Sequence, residues 1–263
     1  MIQYFAKVWA CRYFWMSLVR IDLRSRYRRS ILGVGWSLVR PLMLTVILCV
    51  VFQRIFQRSD TWTYAPYLLS GLALWDYITT ATKQGCQCFF QGESYIRQHP
   101  TPIAVFPLRT ALTESFHFLI ALMVLFGIAG YAKGALNPIA LLSLIPTFAM
   151  LFVLIWSMAT LAGFANVYFQ DTQHLMDVVF QILFYATPII YYPKDLGEGS
   201  KLHFLVMNCN PLVPFFRLFR DPILDGRWPG FEVYGTAVLI VGFLAGLASM
   251  VCGKLQRQLI FQL

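Results

Sequence analysis

The chain has 263 residues, of which 58% are hydrophobic, 16% aromatic and only 13% charged, and its mean hydropathy is positive. A soluble domain carries about 25% charge, so the composition excludes a water-soluble globular protein and places the core in lipid. The formal net charge of +9 would suit a nucleic-acid partner, but Lys7, Arg12, Arg20, Arg24, Arg26, Arg28 and Arg29 crowd ahead of the first apolar segment, the distribution of a membrane protein whose basic side faces the cytoplasm and anionic lipid, with no nucleic acid.

Residues 1–15 place Tyr4, Val8, Cys11 and Trp15 at helical spacing, which predicts a first interfacial helix. Lys7 and Arg12 among aromatics, without a small-residue cleavage site, are not the pattern of a signal peptide. From Met16 a second helix is expected. Met16, Val19, Leu23 and Tyr27 share one face, and Arg20, Arg24 and Arg28 run beside it at i, i+4. Arg26 falls near the apolar face, where its stem can lie along lipid while the guanidinium reaches headgroups. Gly33 and Gly35 then loosen the backbone where an amphipathic helix must turn into the bilayer. Residues 1–35 thus form an N-terminal interfacial unit and 36–263 a membrane domain.

A first span is predicted at Trp36–Phe56, roughly 31 Å at 1.5 Å per residue, with Arg40 snorkelling to the inner headgroups. A second runs over Pro66–Cys88. Asp76 sits near its middle, where a bare charge costs about 3 kcal/mol or more, so it must face a wet lumen, pair, or be protonated; Thr79 and Thr80 are donors within reach. Residues 89–108 carry Gly92, Pro100, Pro102 and Pro107 and read as an inner loop holding a short helix at Gly92–Gln98. The third span is placed at Leu108–Tyr131. Its Glu114 and His117 lie three apart, too few ligands for a metal site. Asn137-Pro138 opens a fourth span to Ala165, bent at Pro146. Residues 166–171 lead to a fifth with Phe180, Phe184, Tyr185 and Tyr191. Residues 193–231 hold apolar pieces too short to cross a bilayer, Leu202–Met207 and Leu212–Leu224, and read as re-entrant. A sixth span, Glu232–Gly253, completes an all-α membrane protein with both termini cytoplasmic.

The six cysteines give no disulfide framework, and Cys86-x-Cys88 is one residue tighter than the usual metal pair. A phosphate-binding loop needs Gly-x-x-x-x-Gly-Lys-Ser/Thr, whereas Gly253-Lys254 is followed by Leu255 and preceded by Ala248 at the first glycine position. The chain is therefore not expected to hydrolyse ATP, and no cofactor is expected in it.

Four separated motifs carry a resemblance. They are Asp22-Leu-Arg-x-Arg-Tyr-Arg-Arg-Ser-x-Leu-Gly-x-x-Trp36 with Pro41, Gly71-Leu-x-x-Trp75, Asp171 with Phe184-Tyr-x-x-Pro-Ile-x-Tyr191, and Asn210-Pro-Leu-x-Pro with Arg217 and Gly226-x-x-Pro229. In this order they resemble ABC transporter permeases of the polysaccharide-export type, which move O-antigen, capsule or teichoic-acid polymers. Arg40 and Gln170 depart from that pattern. The resemblance implies a bacterial inner-membrane homodimer served by two copies of a separate ATP-binding subunit, with ATP and magnesium held there. The coupling surface it implies comprises Asp22, Arg24, Arg26, Tyr27, Arg28 and Arg29 of the basic helix, Glu93, Tyr95, Ile96 and Arg97 of one inner loop, and Gln170 and Asp171 of the other.

Sugar rings present C–H faces on which aromatics stack without fixing one hydrogen-bond pattern, which suits a sliding polymer. Phe52, Phe56, Trp75, Asp76, Phe180, Phe184 and Tyr185 are the candidate channel lining, and Asn210, Pro211, Phe215, Phe216 and Arg217 the candidate outer gate. Two other readings share these residues: a permease of the same fold carrying a small or lipidic substrate, and a membrane glycolipid transferase using Asp76, Glu114 or His117. The transferase reading is weakened because those groups sit in different spans.

Overall fold

The computed structural model describes residues 2–28, 30, 33–55, 61–98, 101–134, 136–197, 200–256 and 258–262. Among them there is no strand; twelve α-helical segments follow one another, joined by short turns. Helices α1 (Ile2–Ala10) and α2 (Arg12–Arg26) precede α3 (Trp36–Ile55) and the long α4 (Thr61–Gln98). Then come α5 (Val105–Lys133), α6 (Pro138–Leu142), α7 (Leu144–Tyr168) and α8 (Thr172–Ala186). The short α9 (Lys201–Phe204) and α10 (Val213–Arg220) lead to α11 (Phe231–Leu255) and the terminal α12 (Leu259–Gln262). Three stretches are long and apolar enough to cross a bilayer: Val105–Ala132, Pro138–Tyr168 and Phe231–Leu255.

The core is α4 packed between α5 and α7. At the α4–α7 crossing the backbones approach closely because both sides are small. A Cβ on Gly85 would lie 2.5 Å from the Ala159 Cα, and one on Gly163 would lie 2.8 Å from the Gly85 carbonyl oxygen. Small residues let helices meet at this range within lipid. Asn166 seals the crossing by donating to the Cys86 carbonyl at 2.9 Å. A second apolar cluster lies at one end of the bundle, where Trp15 and Leu18 of α2 meet Phe89 and Ile96 of α4, with Phe106 and Phe164.

Three features differ from the sequence expectations. Gly92–Gln98 is no separate helix but the continuation of α4, because the sequence offers no breaker before Pro100 and Gly92 is pressed against the Phe106 ring. The bend expected at Pro146 falls three residues earlier, at Ser143 between α6 and α7. Proline has no N–H for the Leu142 carbonyl and its ring crowds that carbonyl, so the ladder breaks one turn upstream. Helix α8 has fifteen residues, a rise of about 22 Å, and the chain from Thr187 to Tyr191 continues as a bend. Helix α10 is buried. It packs on α4, α7 and α11, with Phe215, Phe216, Leu218 and Phe219 fully enclosed. The Phe219 ring lies 5.6 Å from that of Phe118 on α5 and 6.3 Å from that of Phe148 on α7.

Candidate functional site

Helical periodicity puts Leu72, Trp75, Asp76, Thr79, Thr80 and Lys83 on one face of α4. On α8, Gln173, Asp177, Phe180, Gln181 and Phe184 recur at the same spacing. The two faces meet, with Pro41 and Leu44 of α3 beside them, to line a groove of about 680 Å3. Of the predicted lining, Trp75, Asp76, Phe180, Phe184 and Tyr185 all border this groove. Trp75 is held edge-on by Phe180 and Phe184, at 5.9 and 5.6 Å between ring centroids, while Tyr185 stands out exposed. Phe52 falls on α3, and Phe56 lies outside the described residues.

The groove is as polar as it is aromatic. Lys83 pairs with Asp177 at 2.5 Å, and Gln87 donates to Gln173 at 2.6 Å. These residues escaped the sequence reading. The signal was present, since polar residues at i, i+3 and i+4 in an otherwise apolar span mark a wet face. Thr80 reaches the Asp76 carboxylate at 3.5 Å, whereas Thr79 donates instead to the Trp75 carbonyl at 2.9 Å.

Pro41, Asp76 and Thr80 also border a second chamber of about 340 Å3. Its other wall is made by α2 and α5. Arg109 pairs with both oxygens of Asp22, Arg26 meets Glu114 at 2.9 Å, and the Tyr27 hydroxyl lies 3.0 Å from His117 Nδ1. Asp22 and Arg26 are one helical turn apart, and Arg109, Glu114 and His117 occupy successive turns of α5, so the contacts form a ladder. Glu114 and His117 therefore engage α2 separately. Among the described residues no group of three or more His, Cys, Asp or Glu is arranged to hold a metal.

The residues expected to meet an ATPase divide accordingly. Asp22, Arg26 and Tyr27 contact α5 within the chain, while Arg24 and Arg28 are exposed. Arg29 lies outside the described residues. At the C-terminal tip of α4, Glu93 and Arg97 form an i, i+4 ion pair at 2.8 Å. Tyr95 packs edge-on against Phe14 at 5.6 Å. Ile96 is buried in the second apolar cluster and has no surface to offer a partner. Gln170 and Asp171 are exposed in the turn between α7 and α8.

At the opposite end of the bundle the expected gate residues are also sorted. Phe215 and Phe216 sit in the core rather than on an open surface, because the apolar face of α10 is turned into the bundle. Pro211 and Arg217 are exposed. Asn210 is buried, donating to the Ala186 carbonyl at 3.0 Å and to Thr187 Oγ1 at 2.8 Å. The residue that organises this end, Arg220, was not singled out from the sequence. It is 8% exposed. Its guanidinium donates to Ser70 Oγ and to the carbonyls of Pro188, Tyr67 and Ile189, at 3.2, 2.5, 3.2 and 3.1 Å. It lies over the Tyr67 ring at 3.7 Å. Tyr67 in turn donates to the Pro188 and Tyr191 carbonyls. Gly71 is required here, since a Cβ would overlap the Arg220 guanidinium.

Residues 13–224 match the family described as ABC-2 type transporter. Similar proteins include the O-antigen export system permease protein RfbA of Klebsiella pneumoniae, 24% identical over 230 residues, covering 87% of this chain and 86% of that protein. The protein of the same name from Myxococcus xanthus is 23% identical over 88% of each chain. The polysialic acid transport protein KpsM of Escherichia coli is 19% identical over 78% of this chain and 79% of that protein.

Proposed function

The chain belongs to the ABC-2 type transporter family, and from that premise we propose that it is the membrane permease subunit of an exporter that moves a polysaccharide, driven by ATP hydrolysis on a separate subunit. The observation that carries this reading is the run of polysaccharide-export permeases similar to it over most of their length. The groove between α3, α4 and α8 supports it chemically. Trp75, braced by two phenylalanines, offers a flat apolar face to a sugar ring. Lys83, Asp177 and the glutamines of the same groove offer hydrogen bonds to hydroxyls without demanding one register.

In this proposal two copies of the chain enclose the path, with their grooves facing it, and two ATP-binding subunits carrying ATP and magnesium dock from the cytoplasm. The docking surface is the exposed part of the inner end: Arg24 and Arg28, the Glu93–Arg97 tip of α4, and Gln170 with Asp171. Six spans in the bacterial inner membrane, with both termini cytoplasmic and α10 folded back into the outer half, complete the arrangement. The substrate, in this reading a lipid-linked polymer, undergoes no chemistry on this chain.

Co-purification with the ATPase encoded beside it, followed by polymer export from the reconstituted complex, tests the proposal. Trp75→Ala is expected to slow export while leaving ATP hydrolysis close to wild type. Failure to recover any ATPase partner would remove the reading. The topology is tested separately: a cysteine placed at Lys7 should be protected from impermeant thiol reagents in intact cells, and one at Lys201 should be labelled.

A further inference from the structure

The outer end holds a further cavity, of about 690 Å3, between the start of α4, the bent segment after α8 and α10 with its following turn. Lys194, Arg217, Arg220 and Arg227 border it, against the carboxylates of Asp221 and Asp225. The pairing among these groups is unequal. Arg227 alone bridges both carboxylates, at 3.3 and 3.2 Å. Arg220 spends its donors on Ser70 and on carbonyl oxygens, so its charge meets dipoles but no carboxylate. Lys194 and Arg217 are exposed and form no ion pair among the described residues.

A buried charge without a counter-charge is costly. Carbonyl dipoles offset part of the cost at Arg220, and an anion in the adjoining cavity would offset more. Lys194 and Arg217 reach the same space from the solvent side, where they can meet a ligand without displacing an existing partner. The remaining wall is aromatic: Tyr67 and Tyr192 lie 4.2 Å apart between ring centroids, and the Phe216 ring lies 5.5 Å from the Arg220 guanidinium. The volume falls within the range of small-ligand sites. We propose that this cavity binds an anionic group, phosphate or carboxylate, with Lys194 and Arg217 as its direct ligands and the Arg220 charge behind them. Two sources can present that chemistry at an outer surface: an acidic sugar unit of the exported polymer, or the phosphate of an outer-leaflet lipid. The inference rests on the permease reading for the side of the membrane it faces.

The test uses the permease–ATPase complex in phosphatidylcholine nanodiscs. It is titrated with inorganic phosphate, a glucuronate-containing disaccharide and its neutral glucose counterpart. A parallel sample containing phosphatidylglycerol is analysed for retained lipid by native mass spectrometry. The expected result is that a charged probe or phosphatidylglycerol binds about tenfold better than its uncharged or zwitterionic counterpart, and that Lys194→Gln with Arg217→Gln removes the preference. Preference for the acidic disaccharide identifies the polymer as the source, and retained phosphatidylglycerol identifies the lipid. Equal binding of charged and uncharged probes, or a preference that survives both substitutions, overturns the proposal. Should the double variant fail to elute as an intact complex, wild-type affinity is measured from about 0.05 M to about 0.5 M salt. A fall in affinity for the charged probe alone supports the site, and no fall overturns it. A complex that exports polymer yet shows no anion preference fails this inference only, whereas a chain with no ATPase partner fails the functional reading.

Discussion

At the α2 end of the bundle, the inner end in the proposed topology, Asp22, Arg26 and Tyr27 meet Arg109, Glu114 and His117. At the outer end, Arg220 meets no carboxylate and is held by carbonyl oxygens, a hydroxyl and a ring. The first arrangement joins two elements by several separable contacts, any one of which can be lost without undoing the rest. The second gathers α10, the start of α4 and the bend at Pro188–Ile189 on one planar group. Its loss therefore removes four contacts at once, leaving the Tyr64 and Tyr67 hydroxyls to tie α4 to the bend.

The sharpest way to break this contrast is Arg220→Met. It should destabilise the purified permease by about 3 kcal/mol, because several buried acceptors lose their donor at about 1–3 kcal/mol for each one left unsatisfied, read as a lowered Tm in detergent. Arg220→Lys should recover little, since a point charge cannot serve four acceptors lying in different directions. A change within about 1 kcal/mol for the Met variant would mean that the outer end is held by its apolar packing alone.

Gly71→Ala comes next, at about 1–3 kcal/mol from overpacking. Because the clash is with the Arg220 side chain, the penalty should shrink in the Arg220→Met background, and equal penalties in both backgrounds would show the clash to be with Ile189 instead. At the inner end, Asp22→Asn should cost about 1.5–2 kcal/mol. Exchanging the two charges, Asp22→Arg with Arg109→Asp, should regain part of what either single change loses. No recovery in that double-mutant cycle would show that the pair is held by its surroundings and contributes no coupling. The smallest effect belongs to Tyr27→Phe, about 1 kcal/mol or less for one half-buried hydrogen bond, with Arg26–Glu114 left intact.

The same contrast explains what could be read from the amino acids alone. The groove was legible because α4 and α8 are regular helices: spacing by itself places Trp75 and Asp76 on one face, and Phe180 and Phe184 on another. Asn137-Pro138 marked a helix start for the same local reason, and Asn137 does cap it, accepting from Ile139 N–H at 3.1 Å. The inner ladder was half legible. Basic residues before a span predict a helix on the inner surface, but the pairing of Asp22 with Arg109 joins residues 87 apart in the chain, and no local pattern encodes it. The burial of Ile96 followed from α4 continuing to Gln98, a consequence of there being no breaker rather than of hydropathy. Arg220 was least legible. It lies one turn from Arg217 on α10, both are arginine, and one is enclosed while the other is exposed. A rule that keeps charge outside treats them alike, and only the oxygens brought in from Tyr67, Pro188 and Ile189 tell them apart.

Helix α4 runs 38 residues without a break, about 57 Å at 1.5 Å per residue, nearly twice the thickness of a bilayer's hydrocarbon core at about 30 Å. Near one tip it carries Tyr67 and Ser70, which hold Arg220; along its middle it presents Trp75 and Asp76; at the other tip it carries Glu93 and Arg97. Such a rod behaves as a see-saw. Rocking by about 5° about its midpoint displaces each tip by about 2.5 Å, in opposite directions. A push at the Glu93–Arg97 tip thus reaches the far end with its sign reversed, without any relay of side-chain rearrangements between them, and the middle, where the aromatic face sits, moves least.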